Sequence, residues 1–214
     1  LANAFDKTLL RNKLAMDLGK YLGGVAAPEE RFADLYINGK LKGSYLISEP
    51  AENGRSGIQY DETNDTDMLF ELEVEKVEAD VLYHVTDLGV RFAVEDIAED
   101  SATYTNYKTT LKTFETALQN TSSDEVFNLI DVDSFVSMYI VNELFKTVDF
   151  GYSSVKFYIQ KNADGKPIIH AGSLWDFDLS TGNSSVEECR TTTDFRGQTI
   201  NTWFGWLMRN NTFK

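Results

Sequence analysis

Three aspartates carry the chemistry that this sequence offers. Asp149 follows a stretch with helical spacing, and Asp176 and Asp178 sit in the run Trp175-Asp176-Phe177-Asp178. Between them lies a hairpin pattern, so the 27 residues from 149 to 176 are ample for the chain to run out and return. Carboxylates brought together in this way suit Mg²⁺-dependent phosphoryl transfer. One accepts the proton of the attacking hydroxyl, and the others hold the metal that neutralises the phosphates. The same residues also admit a plainer reading. An aspartate after a helix is often a turn former, and Trp-Asp-Phe-Asp fits a strand with its rings inward and both carboxylates in water.

The elements that must position these residues follow from periodicity. Residues 6–22 repeat Leu10, Leu14, Leu18 and Leu22 on one helical face, with Asp6 as N-cap and Gly23–Gly24 as terminator. Residues 33–47 alternate around Asn38–Gly39, the pair that best tolerates positive φ at both central positions of a tight hairpin. Residues 68–77 alternate apolar and Glu, which predicts a strand with one wet face, and 81–85 and 89–94 predict two more. Beyond residue 104 the period changes. Residues 107–118 and 133–146 predict helices, with Phe135, Met138, Tyr139, Asn142 and Phe145 on one side of the latter. Strands at 155–159 and 168–171 flank a turn at 162–166, residues 180–200 read as loop, and a last helix begins at 202. The fold class is therefore α+β, with a sheet-rich part at 1–104 and a helix-rich part at 105–214 that carries the aspartates.

Composition narrows the function classes. The chain has 214 residues, 42% of them hydrophobic, which is enough for a sizeable core. Its formal net charge is −14, and residues 61–100 alone hold 14 acids against 2 bases. Such a chain repels nucleic acid and anionic membrane surfaces, so neither is expected as a partner. The acidic run reads as a solvated face, since no EF-hand spacing is present. One cysteine, Cys189, excludes an internal disulfide, and His84 and His170 are too far apart for a short metal motif and read as structural. No apolar run reaches the length of a membrane helix. Nothing in the composition bears on oligomeric state.

Several segments resemble the CotH (spore coat protein H) kinase-like family. The block VNELFKTVDFGYSSVKFYIQKNADGKPIIHAGSLWDFDLSTGN is the most specific. LANAFDKTLLRNKLAMDLGKYLG is similar to that family's early helix, LYINGKLKGSYLISEPAENGRSGI to its hairpin and the Arg-containing segment after it, and MLFELE to the next strand. The resemblance implies an atypical protein-kinase-like fold with a β-rich N-lobe and a helical C-lobe. It also implies strands before Leu1 and helices after Lys214, the chain being a core trimmed at both ends. It implies transfer of phosphate from Mg-ATP to Ser or Thr of a protein that is secreted or held at the bacterial cell surface. Asp149 then matches the catalytic aspartate, Asp176 the metal-binding aspartate with Asp178 close by, and Arg55 a ligand of the nucleotide phosphates.

One departure matters. Where the family carries Lys followed two residues later by Pro, this chain has Glu95 and Ile97. An anion in place of that cation favours a second reading, a non-catalytic pseudokinase-like binding module of a larger extracellular protein. A third, an acidic carbohydrate-associated module, draws only on the many Tyr and Trp residues. Glu71 and Glu73 are candidate partners for a cation at the nucleotide site or simply the wet face of a strand. Ser153 and Ser154 stand near the offset at which protein kinases carry a metal-binding Asn. Asn142 and Glu143 are expected to orient the loop of Asp149, Gly151 and Gly182 to permit turns, and Trp203 and Trp206 to fill the core.

Overall fold

The structure, a computed structural model, describes residues 5–52, 55–59, 61, 63–94, 97–200 and 202–214. It is mixed α and β, with two antiparallel sheets and four α-helices among the described residues. The hairpin is formed as the Asn38–Gly39 signal predicts. Strands β1 (Glu30–Ile37) and β2 (Lys40–Ser48) pair antiparallel, and Asn38 and Gly39 adopt φ of 52° and 75° at the turn.

The main sheet has the order β4-β5-β3-β6-β7 and is antiparallel throughout. Its strands are β3 (Met68–Glu73), β4 (Leu82–Val85), β5 (Arg91–Val94), β6 (Ser153–Lys161) and β7 (Pro167–Ala171). Strands from both sides of residue 104 thus share one sheet, because β3 pairs directly with β6. Period-two alternation divides its faces. Met68, Phe70, Leu72, Phe92, Val94, Val155, Phe157, Ile159, Ile169 and Ala171 turn into the core. Glu71 and Glu73 of β3, Lys156 and Tyr158 of β6, and His170 of β7 take the opposite face, and Ser154 is the extra residue of an irregularity in β6, at φ 58°.

The core lies between the first face and the helices α2 (Ala102–Gln119), α3 (Val132–Phe145) and α4 (Trp203–Leu207). Trp203 is its centre, within 4.7–6.1 Å of the ring centroids of Phe70, Phe92, Phe114 and Phe157. Its indole N–H needs a partner at that depth and donates to the buried Glu115 of α2 at 2.7 Å; the other Glu115 oxygen accepts from the Leu88 backbone at 3.0 Å. Trp206 packs against this core and is half-buried. No helix among the described residues is long and apolar enough to cross a membrane.

The first helix departs from expectation. It runs from Arg11 to Leu22, later than Asp6, and its buried side is Asn12, Ala15, Met16 and Gly19. Leu10, Leu14 and Leu22, expected to face the core, are exposed. The reason is steric. A Cβ at Gly19 would stand 2.2 Å from Leu174 Cδ1, so the small-residue side is the one that can approach the 172–178 segment. Asp6 instead caps the preceding turn. Its carboxylate accepts from the backbone N–H of Thr8 and of Arg11, each at 2.9 Å.

Candidate functional site

The loop of Asp149 begins where α3 ends. Lys146 terminates the helix in the left-handed conformation at φ 50°, and Thr147 N–H returns to the Asn142 carbonyl. Glu143, one residue on, takes the ammonium of Lys146 at 2.6 Å and the backbone N–H groups of Arg196 and Gly197 at 2.9 and 2.6 Å. That fixes the 194–197 segment beside the loop. The Arg196 guanidinium then donates to the carbonyls of Thr147, Val148 and Phe150 at 2.7, 2.9 and 2.9 Å. The loop therefore hangs from one side chain. Beyond it Gly151 takes φ 99°, with Ile200 packed where a Cβ would be.

The Trp175–Asp178 segment is held from the other side by α1 and its preceding turn. Asn12 accepts the buried Phe177 N–H at 2.7 Å. Arg11, salt-bridged to Asp6, also donates through Nε to the Ser180 carbonyl and the Thr181 hydroxyl at 2.9 and 2.8 Å. Leu174 N–H reaches the Ala26 carbonyl at 2.9 Å, and Asn183 braces the Asp178 carbonyl at 2.7 Å. Phe177 is buried against Phe145 of α3. Asp176 lies in the left-handed region at φ 63°, a conformation Asp tolerates better than most residues.

The two segments face one shallow cleft that is open to solvent. Asp149 and Asp176 both line it, with Ser153, Ser154 and Trp175. The Ser154 hydroxyl donates to Asp176 at 3.1 Å. Burial pushes the Asp176 carboxyl up to about 6, helped by a hydrogen bond and repulsion from Asp178 and by the charge of Asp149. Asp149 is likewise raised by burial and by the charge of Asp178, against the opposing pull of Arg196. Three polar atoms lining the cleft, Thr147 Oγ1, Ser173 Oγ and Trp175 Nε1, are buried without a hydrogen-bond partner. Carboxylates crowded above their ordinary range, beside orphaned donors, make a place prepared for a polar ligand bearing a cation. No cluster of three or more His, Cys, Asp or Glu side chains with metal-holding geometry occurs among the described residues. Mg²⁺ needs fewer, since one or two carboxylates suffice when phosphates and waters complete its shell; Asp176 lines the cleft, and Asp178, close enough to raise it, is outside that lining.

Other expected residues fall elsewhere. Arg55 is exposed in the loop after β2, near Glu49, and does not line this cleft. Glu95 lies outside the described residues. Glu71 is opposite Lys156 in the strand register and pairs with it at 2.6 Å. Gly182 takes φ 80° in a turn. The histidines are structural. His84 packs edge-on to Tyr104 and Tyr107, and His170 bonds Asp131 at 2.9 Å and stacks on Tyr158. Cys189 is buried and free.

Sequence reasoning missed Arg11, Asn12, Lys156 and Arg196. Lys156 left a signal, a lone cation inside the apolar run Val155–Ile159, where only a built partner permits burial. Arg196 left none, standing in a Ser/Thr/Gly-rich loop whose path no periodicity predicts.

No curated protein matches this chain. The profile of the family described as CotH kinase protein matches it over residues 1–214. With the whole chain so covered, the protein belongs to the CotH kinase family.

Proposed function

We propose that this protein is an atypical protein kinase that transfers the γ-phosphate of Mg-ATP to Ser or Thr of a secreted or cell-surface protein. The observation that carries the proposal is the convergence of Asp149 and Asp176 on one cleft from segments 27 residues apart. Asp149, with its carboxyl raised, accepts the proton as the substrate hydroxyl oxygen attacks the γ-phosphorus and ADP leaves. Asp176 and Asp178 hold the metal, and Ser154 fixes the Asp176 rotamer. Magnesium bound there would neutralise the β- and γ-phosphate charge. The phosphate role implied for Arg55 belongs to the same proposal and would require the exposed loop after β2 to approach the cleft, which Arg55 does not line. The lobe division near residue 104 belongs to the proposal as well; helices α2, α3 and α4 after it support the division, while β6 and β7 cross back to share the sheet of β3, β4 and β5.

The test is phosphotransfer from γ-labelled ATP to an arrayed library of Ser- and Thr-containing peptides. Label transfer that needs Mg²⁺ and is lost in both Asp149→Ala and Asp176→Ala supports the proposal. Transfer unchanged in Asp149→Ala overturns its assignment. The acid excess of residues 61–100 favours the alternative, a non-catalytic binding module. Nucleotide binding without transfer to any peptide would decide for that reading.

A further inference from the structure

Lys156 is a cation in an unusual setting. It lies in the strand pair β3–β6 of the main sheet, its side chain only 7% exposed. Glu71, directly across on β3, takes it at 2.6 Å, and Glu52 takes it at 3.0 Å from the loop after β2. The face of Trp175 lies beneath it, 4.7 Å from ammonium to ring centroid. A structural lysine at this depth needs one carboxylate, and Glu71 is that carboxylate. The second is different in kind. Its side chain is 48% exposed and comes from a loop rather than from the sheet.

The position relative to the cleft gives this arrangement its meaning. Ser154 and Lys156 both belong to β6, where Ser154 is the extra residue of an irregularity opposite Leu72 and Glu73, with φ of 58°. Ser154 touches Asp176, and Lys156 covers Trp175, the preceding residue. The ammonium and the Asp176 carboxylate therefore flank the two ends of one short segment. The Trp175 indole N–H between them is buried and has no partner. The other cations near the Asp149 loop are committed elsewhere, Arg196 to three carbonyls and Lys146 to Glu143 and the Asp194 carbonyl. Lys156 has a partner it can exchange.

We propose that Lys156, which touches the cleft only through Trp175 in its lining, is the phosphate-binding cation beside it and that the Glu52 carboxylate occupies the phosphate's place until a polyphosphate displaces it. The inference rests on the nucleotide reading above and adds to it a residue and a competition. A phosphate oxygen arriving at Lys156 replaces one half-exposed anion by another while Glu71 stays. The ligand works against Glu52, and release of Glu52 frees the loop that also carries Arg55. Binding and the loop after β2 are then coupled through a single ion pair.

The experiment is calorimetric titration of the protein, Glu52→Gln, Lys156→Met and Asp176→Asn with Mg-ATP and with magnesium tripolyphosphate, which lacks the nucleoside. A half-exposed ion pair contributes up to about 1 kcal/mol, so Glu52→Gln should tighten both ligands about threefold to fivefold. Lys156→Met should weaken both at least about tenfold, since a charge-assisted hydrogen bond is lost. Glu52→Gln alters a half-exposed side chain and carries the test even where Lys156→Met fails to fold. Binding that needs Asp176 but is the same in Glu52→Gln as in the unmodified protein overturns this inference and leaves the nucleotide reading standing. Binding seen only in Glu52→Gln supports it strongly. Absence of binding in the unmodified protein and Glu52→Gln alike overturns both readings together.

Discussion

Asp176→Asn should make the metal-free protein more stable at neutral pH, although it removes the proposed metal ligand. The Asp176 carboxyl titrates near 6 in the fold against an ordinary 3.8, raised by burial, by Asp178 and by Asp149. Below 3.8 the group is protonated in both folded and unfolded chains and contributes no difference. Between 3.8 and about 6 only the folded chain holds the proton. Above 6 both forms are ionised, and the folded state bears the full repulsion. Relative stability from this group is thus present at low pH and lost as pH rises through 6. At about 1.4 kcal/mol for each pH unit, that gap sets a ceiling near 3 kcal/mol. Solvent reaches a good part of the cleft, and screening reduces the expectation to about 1–2 kcal/mol. Asn keeps the size of Asp, tolerates the left-handed backbone at φ 63°, and can still accept from Ser154. The assay is urea unfolding with chelator at pH 7.5 and pH 4.0. The variant should lead at pH 7.5 and lose its lead at pH 4.0, and added Mg²⁺ should stabilise only the unmodified protein. A variant equal or inferior at pH 7.5, or a lead that does not change with pH, would refute the repulsion argument.

Arg196→Met should lower stability by about 2–4 kcal/mol, three hydrogen bonds from a cation being lost at once, and should speed amide exchange at Tyr152 and Ser153. Arg196→Lys should recover only part of this, as an ammonium cannot span three carbonyls with the same planar fork. Gly205→Ala should destabilise by about 2–3 kcal/mol, because its Cβ would stand 2.1 Å from the Ile200 carbonyl oxygen, measured by the shift in urea midpoint. Asp131→Asn tests the N-cap of α3. Its hydrogen bond with His170 holds the Asp131 carboxyl below its ordinary 3.8 despite partial burial. That contribution is present above 3.8 and fades as pH falls through the lower folded value. The unmodified protein should be the more stable at pH 6, and the difference in melting temperature should shrink as the pH falls below 3.8.

Much of this fold was legible in local patterns, and the failures have a common cause. Asn38–Gly39 specified its hairpin because the demand on φ is local. The strand at 68–73 was legible for the same reason, although the strand ends at Glu73 rather than 77, with one further backbone bond from Val74 N–H to the Tyr152 carbonyl. The order helix, Asp149, hairpin, Trp175–Asp178 was enough to bring both aspartates to one cleft. The leucine stripe of α1 misled because periodicity reports an apolar face, whereas the close approach of Leu174 selects a small one at Ala15 and Gly19. The pairing of β3 with β6, across some 80 residues, could not be read locally. With it went the meaning of Lys156, whose partner Glu71 is defined only by that register.

The cations near the cleft explain why its acidity persists. In most folds a crowded carboxylate acquires an arginine or lysine. Here Arg196 approaches Asp149 closely enough to oppose its raised titration, yet all three of its donated bonds end on backbone carbonyls. Arg11 likewise ends on Asp6, the Ser180 carbonyl and the Thr181 hydroxyl, although it borders the segment of Asp176 and Asp178. Asn12 and Asn183 hold that segment by its backbone. The scaffold therefore fixes the positions of the aspartates through main-chain atoms while leaving their charge uncompensated. Asp176, buried and crowded by Asp178, thus takes up a proton near pH 6 or answers to a cation supplied from outside. That neither Arg11 nor Arg196 pairs with these carboxylates is the physical ground for reading the cleft as a site that receives its cation together with its ligand.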